Sequence, residues 1–198
     1  MSQFIEKMAV KDGMTILDLG GQPAIWNSVP QKLNITILNL PGIAKTAERT
    51  HHNIKYIEGD ACNVTNLDNQ LFDIVFSNSV IEHVGDAEKR AAFAREVKRF
   101  GNAYWIQTPS KYFPIEAHNG MPFWWFYPLP LRNYFLQRWQ RKLPAWTEMV
   151  ATTHIILKDE LVTLFPEAEI YVERFFGLPK SYIAAIDAGS SMVPKAHI

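Results

Sequence analysis

At 198 residues the chain is long enough for one well-packed domain and short for two. Its 20 basic residues balance 20 acidic ones, which excludes a global field suited to nucleic acid, although local patches can still matter. A single cysteine, Cys62, excludes an internal disulfide and a cysteine-built zinc cage and fits a reducing compartment.

The N-terminal stretch MSQFIEKMAVKDGMTILDL has no basic segment followed by an apolar one, so no secretory signal is read there. Met14–Leu19 (MTILDL) reads as a buried strand, closed by the turn GGQP. Asn34–Leu40 (NITILNL) is a second strand, stopped by Pro41-Gly42, and Asn53–Gly59 (NIKYIEG) a third. Leu71–Asn78 (LFDIVFSN) is a fourth, apolar on both faces near its centre, as a central parallel strand should be. Ala87–Gly101 is a helix with Asp86 as N-cap, Ala91, Phe93, Ala94 and Val97 as its apolar face and Gly101 as its stop. Asn102–Pro109 (NAYWIQTP) follows as a fifth strand. Strand and crossover alternate throughout this part, which implies parallel βαβ units with right-handed connections.

Lys111–Trp146 breaks the rhythm with five prolines and 11 of the 25 aromatic residues. Within it Leu131, Phe135, Trp139 and Leu143 recur at four-residue spacing, which predicts an amphipathic helix over Leu131–Leu143. Met121–Leu131 (MPFWWFYPLPL) is apolar but too short and too rich in proline to span a bilayer, so the chain is expected in the cytoplasm. Lys158–Leu164 reads as a short helix. Ala168–Gly177 and Ser181–Ile186 read as two strands of a hairpin joined by GLPK. The expected fold is α/β: a Rossmann-like, doubly wound, three-layer αβα domain over residues 1–198. Its seven-stranded sheet is mostly parallel, with an antiparallel last strand. An insertion occupies about residues 110–150, and the last dozen residues are expected to fray.

In an open parallel sheet, ligands bind beyond the carboxyl ends of the strands. Those ends here read DLGGQP, NLPG, GDACN and SNSVIEHV, in that order. This ordered set, with the terminal hairpin EIYVERFFGLPKSYIAAI, resembles the class I S-adenosylmethionine-dependent methyltransferases, and more narrowly the type-11 methyltransferase domain family. The resemblance covers roughly Thr15 to Gln107 and implies S-adenosylmethionine as cofactor. It places Asp18, Gly20, Gly21 and Gln22 beside the methionine part. Asn39, with Leu40, stands at the ribose, where the family has an acidic residue. Asp60 and Ala61 fall at the adenine, and Ser77 and Asn78 beside the methyl being transferred. Gly20 and Gly21 can supply backbone free of Cβ, whereas Gln22 stands where the family has a further glycine. A lone Asp-Leu-Gly-Gly occurs in many α/β proteins, and tight turns or turn caps explain these residues singly. Four such pieces in order do not arise so easily.

His83 and His118 are the candidate general bases, since histidine titrates near neutral pH; ordering of the loop is the alternative role for each. The insertion admits three readings: a lid lining an apolar acceptor pocket, a peripheral contact with the inner face of a membrane through Leu131–Leu143, or a homodimer interface. The acceptor is then an oxygen or nitrogen of a small or amphiphilic, even lipid-linked, molecule. Two other functions stay open: a non-catalytic S-adenosylmethionine or S-adenosylhomocysteine binding module, and a nicotinamide-dependent oxidoreductase, which the absent G-x-G-x-x-G disfavours. No metal is expected, because His83, His118 and His154 lack helical ligand spacing.

Overall fold

A computed structural model describes residues 1–43, 49–67 and 70–187. The tail expected to fray lies, beyond residue 187, outside the described residues. Seven strands form one sheet in the order β3-β2-β1-β4-β5-β7-β6. They are β1 (Thr15–Leu19), β2 (Asn34–Asn39), β3 (Asn53–Glu58), β4 (Ile74–Asn78), β5 (Tyr104–Pro109), β6 (Glu169–Phe175) and β7 (Leu178–Ile186). β7 runs antiparallel to both of its neighbours, against the common direction of the other six strands. The fold class expected from the sequence is therefore present, strand for strand.

The apolar runs form strands because both sheet faces are covered. On one face α3 (Ala87–Phe100) and α6 (Lys158–Leu164) bring Phe93, Val97 and Leu161 onto Leu17, Leu19 and Val75. On the other, α1 (Ser2–Lys7) and α2 (Pro23–Trp26) bring Phe4 and Trp26 onto Ile16, Ile35 and Phe76. Phe4, Trp26 and Phe76 meet edge to face, with centroids 4.8–5.9 Å apart. The Asp86 carboxylate accepts from Lys89 N at 3.0 Å, so α3 is capped as its sequence predicts. Gly101 does not end it by a left-handed turn, since its backbone is extended. It is needed instead because a Cβ there would stand 2.7 Å from Val75 Cγ2.

Two local expectations shift. The hairpin turns at Phe176-Gly177 rather than at GLPK, and both residues are left-handed, at φ 48° and 79°. That geometry suits the tight turn between twisted antiparallel strands. The insertion helix, here α4, spans Leu129–Gln140 rather than Leu131–Leu143, because Pro144 opens a separate helix, α5 (Pro144–Thr152). α4 has no fully buried residue. Its Phe135 and Trp139 stack instead in a ladder running from Trp124 to Trp146, with steps of 5.2–6.4 Å. Among the described residues, no helix is long and apolar enough to cross a membrane.

Candidate active site

The parallel strands end together, and the loops beyond β1, β2, β3 and β4 meet around a cleft of about 360 Å³. Gly20, Asn39, Leu40, Asp60, Ala61 and His83 all line it, with Ile43, Ser79, Val80 and Val84. Its volume falls within the range of small-molecule sites, and it joins apolar walls to a few polar groups.

The β1 loop is set by what lies beneath it. Asp18 is fully buried, and its Oδ2 accepts from Trp26 Nε1 at 2.7 Å. Among the described residues its Oδ1 has no partner, and burial pushes the carboxyl up to about 7 against the pull of the Trp26 hydrogen bond. Gly20 adopts φ +77°, and a Cβ on it would meet Val80 at 2.6 Å. The Asn39 amide donates to Gly21 O at 3.0 Å and ties the loops of β1 and β2 together. That bond uses one of the two Nδ2 hydrogens, while Oδ1 can still accept.

In the β3 loop, Asp60 Oδ1 accepts from Cys62 N at 2.8 Å, while Oδ2 stands 3.5 Å from Lys89 Nζ. Burial raises the Asp60 pKa, but these partners outweigh it and hold the carboxyl below its usual range. Asp60 is thus an ionised acceptor at the cleft wall, part of whose capacity already orders its own turn.

The sequence-named residues divide by position. Gly20, Asn39, Leu40, Asp60 and Ala61 line the cleft, whereas Asp18, Gly21, Gln22 and Ser77 do not. Ser77 is buried and donates to Leu19 O at 3.0 Å, clamping β4 to β1. Asn78 faces a second cavity of about 830 Å³ beyond β4, β5 and β7. Polar groups of Asn78, Gln107, Ser110 and Ser181 line this cavity together with Phe4, Trp105, Phe113 and Trp125. Ser79 borders both cavities, its backbone at φ 58° and its Oγ on Gln107 Oε1 at 3.0 Å. A left-handed non-glycine residue at such a junction is held there by its surroundings. Residue type did not single out Ser79.

His83 and His118 come together although the chain keeps them far apart. Their Nε2 atoms lie 2.9 Å from each other, His83 Nδ1 is 3.3 Å from Thr153 Oγ1, and His118 Nδ1 is 2.7 Å from Glu116 Oε1. Glu116, which lines the larger cavity, also accepts at 2.8 Å from the backbone N–H groups of His118 and Asn119. Buried Glu82 completes the group, with Oε2 accepting from Thr108 Oγ1 at 3.0 Å and Oε1 without a hydrogen-bond partner among the described residues.

Burial, then the neighbouring His118, pulls His83 down to about 4, so its ring is neutral at physiological pH. Burial also disfavours a charged His118, yet the hydrogen bond and charge of Glu116, aided by Glu82, hold it above its ordinary value. Burial pushes Glu82 up to about 7. Glu82, Glu116 and Thr153 were not legible as site residues; only the neighbouring histidines were.

Comparison with known proteins bears on the fold. A family model described as a methyltransferase domain matches residues 33–101. No curated protein sequence matches the chain. A Haemonchus contortus phosphoethanolamine N-methyltransferase 2, solved with phosphomonomethylethanolamine and S-adenosylhomocysteine, superposes with TM-score 0.58 at 17% identity, over 87% of this chain and 37% of its own. An O-methyltransferase family protein from Burkholderia thailandensis gives 0.53 at 13%, over 89% and 52%. A Rhodobacter sphaeroides protein described as a Zn-dependent alcohol dehydrogenase gives 0.60 at 10%, over 93% and 86%. At these identities the likeness is one of fold, and the chain spans about half or less of the two methyltransferases' length.

Proposed function

We propose that this chain, whose residues 33–101 match the methyltransferase domain family, moves a methyl group from S-adenosylmethionine to an oxygen or nitrogen of a small or amphiphilic acceptor. The observation that carries this reading is the meeting of two cavities at Ser79. A slot with an acidic and an amide group on its wall opens beside a larger, partly aromatic chamber.

The residues of the slot fit the adenosyl group. Asp60 can accept from an adenine amino group, Asn39 Oδ1 can accept from one ribose hydroxyl, and Leu40, Ala61 and Val84 supply flat apolar contact. When bound, the cofactor supplies a methyl group already activated by its sulfonium. The protein has to hold the acceptor in line and exclude water. His83 stands on the slot wall as a neutral ring able to take a proton from an acceptor hydroxyl. The insertion roofs the larger chamber through Phe113, Ile115 and Trp125, while Phe123, Phe126 and Leu129 stay 56–69% exposed. Exposed apolar surface on the insertion suits an acceptor with an apolar portion.

Calorimetry with S-adenosylhomocysteine and NAD tests the reading: the first should bind and the second should not. Binding of NAD alone would replace it with an oxidoreductase. The engagement of the Asn39 amide with Gly21 favours one second reading, a binding module without turnover. It would be supported if tight cofactor binding were joined to an absence of methyl transfer across acceptor panels.

Asp60→Ala is expected to weaken S-adenosylhomocysteine binding by about 1–3 kcal/mol, the size of a lost buried hydrogen bond to a charged group. Unchanged affinity would remove Asp60 from the site. His83→Ala is expected to slow turnover at least tenfold while leaving cofactor affinity within twofold. Equal losses in both would assign His83 to the scaffold.

A further inference from the structure

The mutual orientation of Glu82, His83 and His118 raises a problem of hydrogen counting. His118 Nδ1 lies 2.7 Å from the Glu116 carboxylate, which can only accept, so the ring hydrogen sits on Nδ1. Thr153 spends its hydroxyl hydrogen on Met149 O at 2.8 Å, so toward His83 Nδ1 it can only accept, and that ring hydrogen too points outward. In the neutral rings both Nε2 atoms then carry lone pairs, and these face each other across 2.9 Å. A third lone-pair donor, Glu82 Oε1, lies 4.0 Å from His118 Nε2, fully buried and with no hydrogen-bond partner. With both rings neutral and Glu82 ionised, three acceptors converge with no donor among them, so the group calls for one bound cation or proton at its centre, since each unmet buried group costs free energy.

We infer that Glu82, His83 and His118 form a binding site for one divalent first-row transition cation. One ligand atom from each lies within 4.8 Å of the other two. At a metal–nitrogen distance of about 2.1 Å, nitrogens 2.9 Å apart subtend nearly a right angle, and Glu82, whose Oε1 stands 4.0 Å from His118 Nε2, would complete a facial set of two histidines and a carboxylate by swinging about 1 Å inward. The outer contacts match this assignment. Histidines that bind metals hold their other ring nitrogen on a carboxylate or similar acceptor, as Glu116 and Thr153 do here. Glu116 is itself fixed by two backbone N–H groups, and Trp146 Nε1 donates to His118 O at 3.2 Å, so the insertion locks the ligand in place. The site lies between the cavities, with His83 lining the cleft and Glu116 the larger chamber. With a cation in place His83 Nε2 is a ligand and no longer a base, and an acceptor oxygen entering there could complete the coordination and lose its proton more readily; that further step alone rests on the methyltransferase reading.

The test uses untagged full-length protein, stripped with chelator and titrated with Co²⁺ and Zn²⁺. Visible absorption of Co²⁺ reports coordination, and S-adenosylhomocysteine binding is measured in parallel. We expect one equivalent of metal bound with a dissociation constant in the micromolar range or below. His118→Ala and Glu82→Gln should weaken it at least tenfold. Glu116→Gln, which does not touch the ion, should weaken it about 10–100-fold through the ring it orients. His51→Ala should leave it unchanged. Folded protein without saturable binding would overturn the inference, and a proton shared between His83 and His118 would then fill the gap. Metal affinity equal to wild type in both His118→Ala and Glu82→Gln would overturn it as well. Metal binding without S-adenosylhomocysteine binding would sink the methyltransferase reading and leave the metal site standing.

Discussion

Gly21→Ala is expected to destabilise the fold by about 2–4 kcal/mol and to weaken S-adenosylhomocysteine binding more than Asp60→Ala does. A Cβ at Gly21 would stand 1.7 Å from Asp18 Oδ2 and 2.2 Å from Oδ1. Asp18 cannot withdraw, because it is fully buried, short, and tied to Trp26 through the same Oδ2. The loop must therefore lift, which breaks the Asn39 bond to Gly21 O and displaces Gly20 from the cleft wall. Gly13→Ala is the control. Its φ of +83° carries the left-handed penalty, but nothing lies within 4 Å of the new carbon, so about 1 kcal/mol is expected. Denaturant unfolding of both variants, beside calorimetry of Gly21→Ala, gives the comparison. Equal costs for the two would mean that the Asp18 contact does not constrain the loop. Replacing Asp18 by Ala in the Gly21→Ala background should recover part of the loss, since the two side chains compete for one volume.

That contact marks how far the sequence could be read. The parallel strands were legible because both sheet faces are buried, which leaves uninterrupted apolar runs such as Ile74–Phe76. α3 was legible because Asp86, its apolar stripe and Gly101 bracket it. α2 and α5 were not, although Pro23 and Pro144 stand at their first positions, because four and nine residues give little periodicity to read. The hairpin turn was hidden because Phe176 occupies a left-handed position that usually goes to Asn, Asp or Gly.

At the site, loops rather than side-chain directions were legible. An Asp-Leu-Gly-Gly after a strand announces a tight turn at the ligand edge, and Gly20 does line the cleft. It does not say that the carboxylate turns inward to an indole eight residues on. The histidine pair shows the same limit. No local spacing relates His83 to His118, and their approach depends on how the insertion folds back, through Glu116 and Trp146, onto the turn after β4.

The inward turn of Asp18 carries the second large effect. Its carboxyl titrates at about 7 in the folded chain against 3.8 as a free side chain, with burial as the chief cause. Between those values the folded state holds a proton that the unfolded state has released, so stability falls as pH rises. The contribution is complete below about pH 4 and lost above about pH 7, where the buried charge costs roughly 3–5 kcal/mol. Asp18→Asn removes the ionisation and keeps an acceptor for Trp26 Nε1. In exchange it buries amide hydrogens beside the position where Oδ1 now has no partner, at about 1–3 kcal/mol independent of pH. The variant is therefore expected to be less stable than the parent at pH 4.5 and more stable at pH 8.5. Glu82, raised into the same range by burial, adds a slope of the same sign to both proteins and cancels in their difference. Denaturant midpoints across that pH interval measure the difference directly. Parallel curves would mean that Asp18 stays ionised throughout and that a cation or donor compensates it inside the fold.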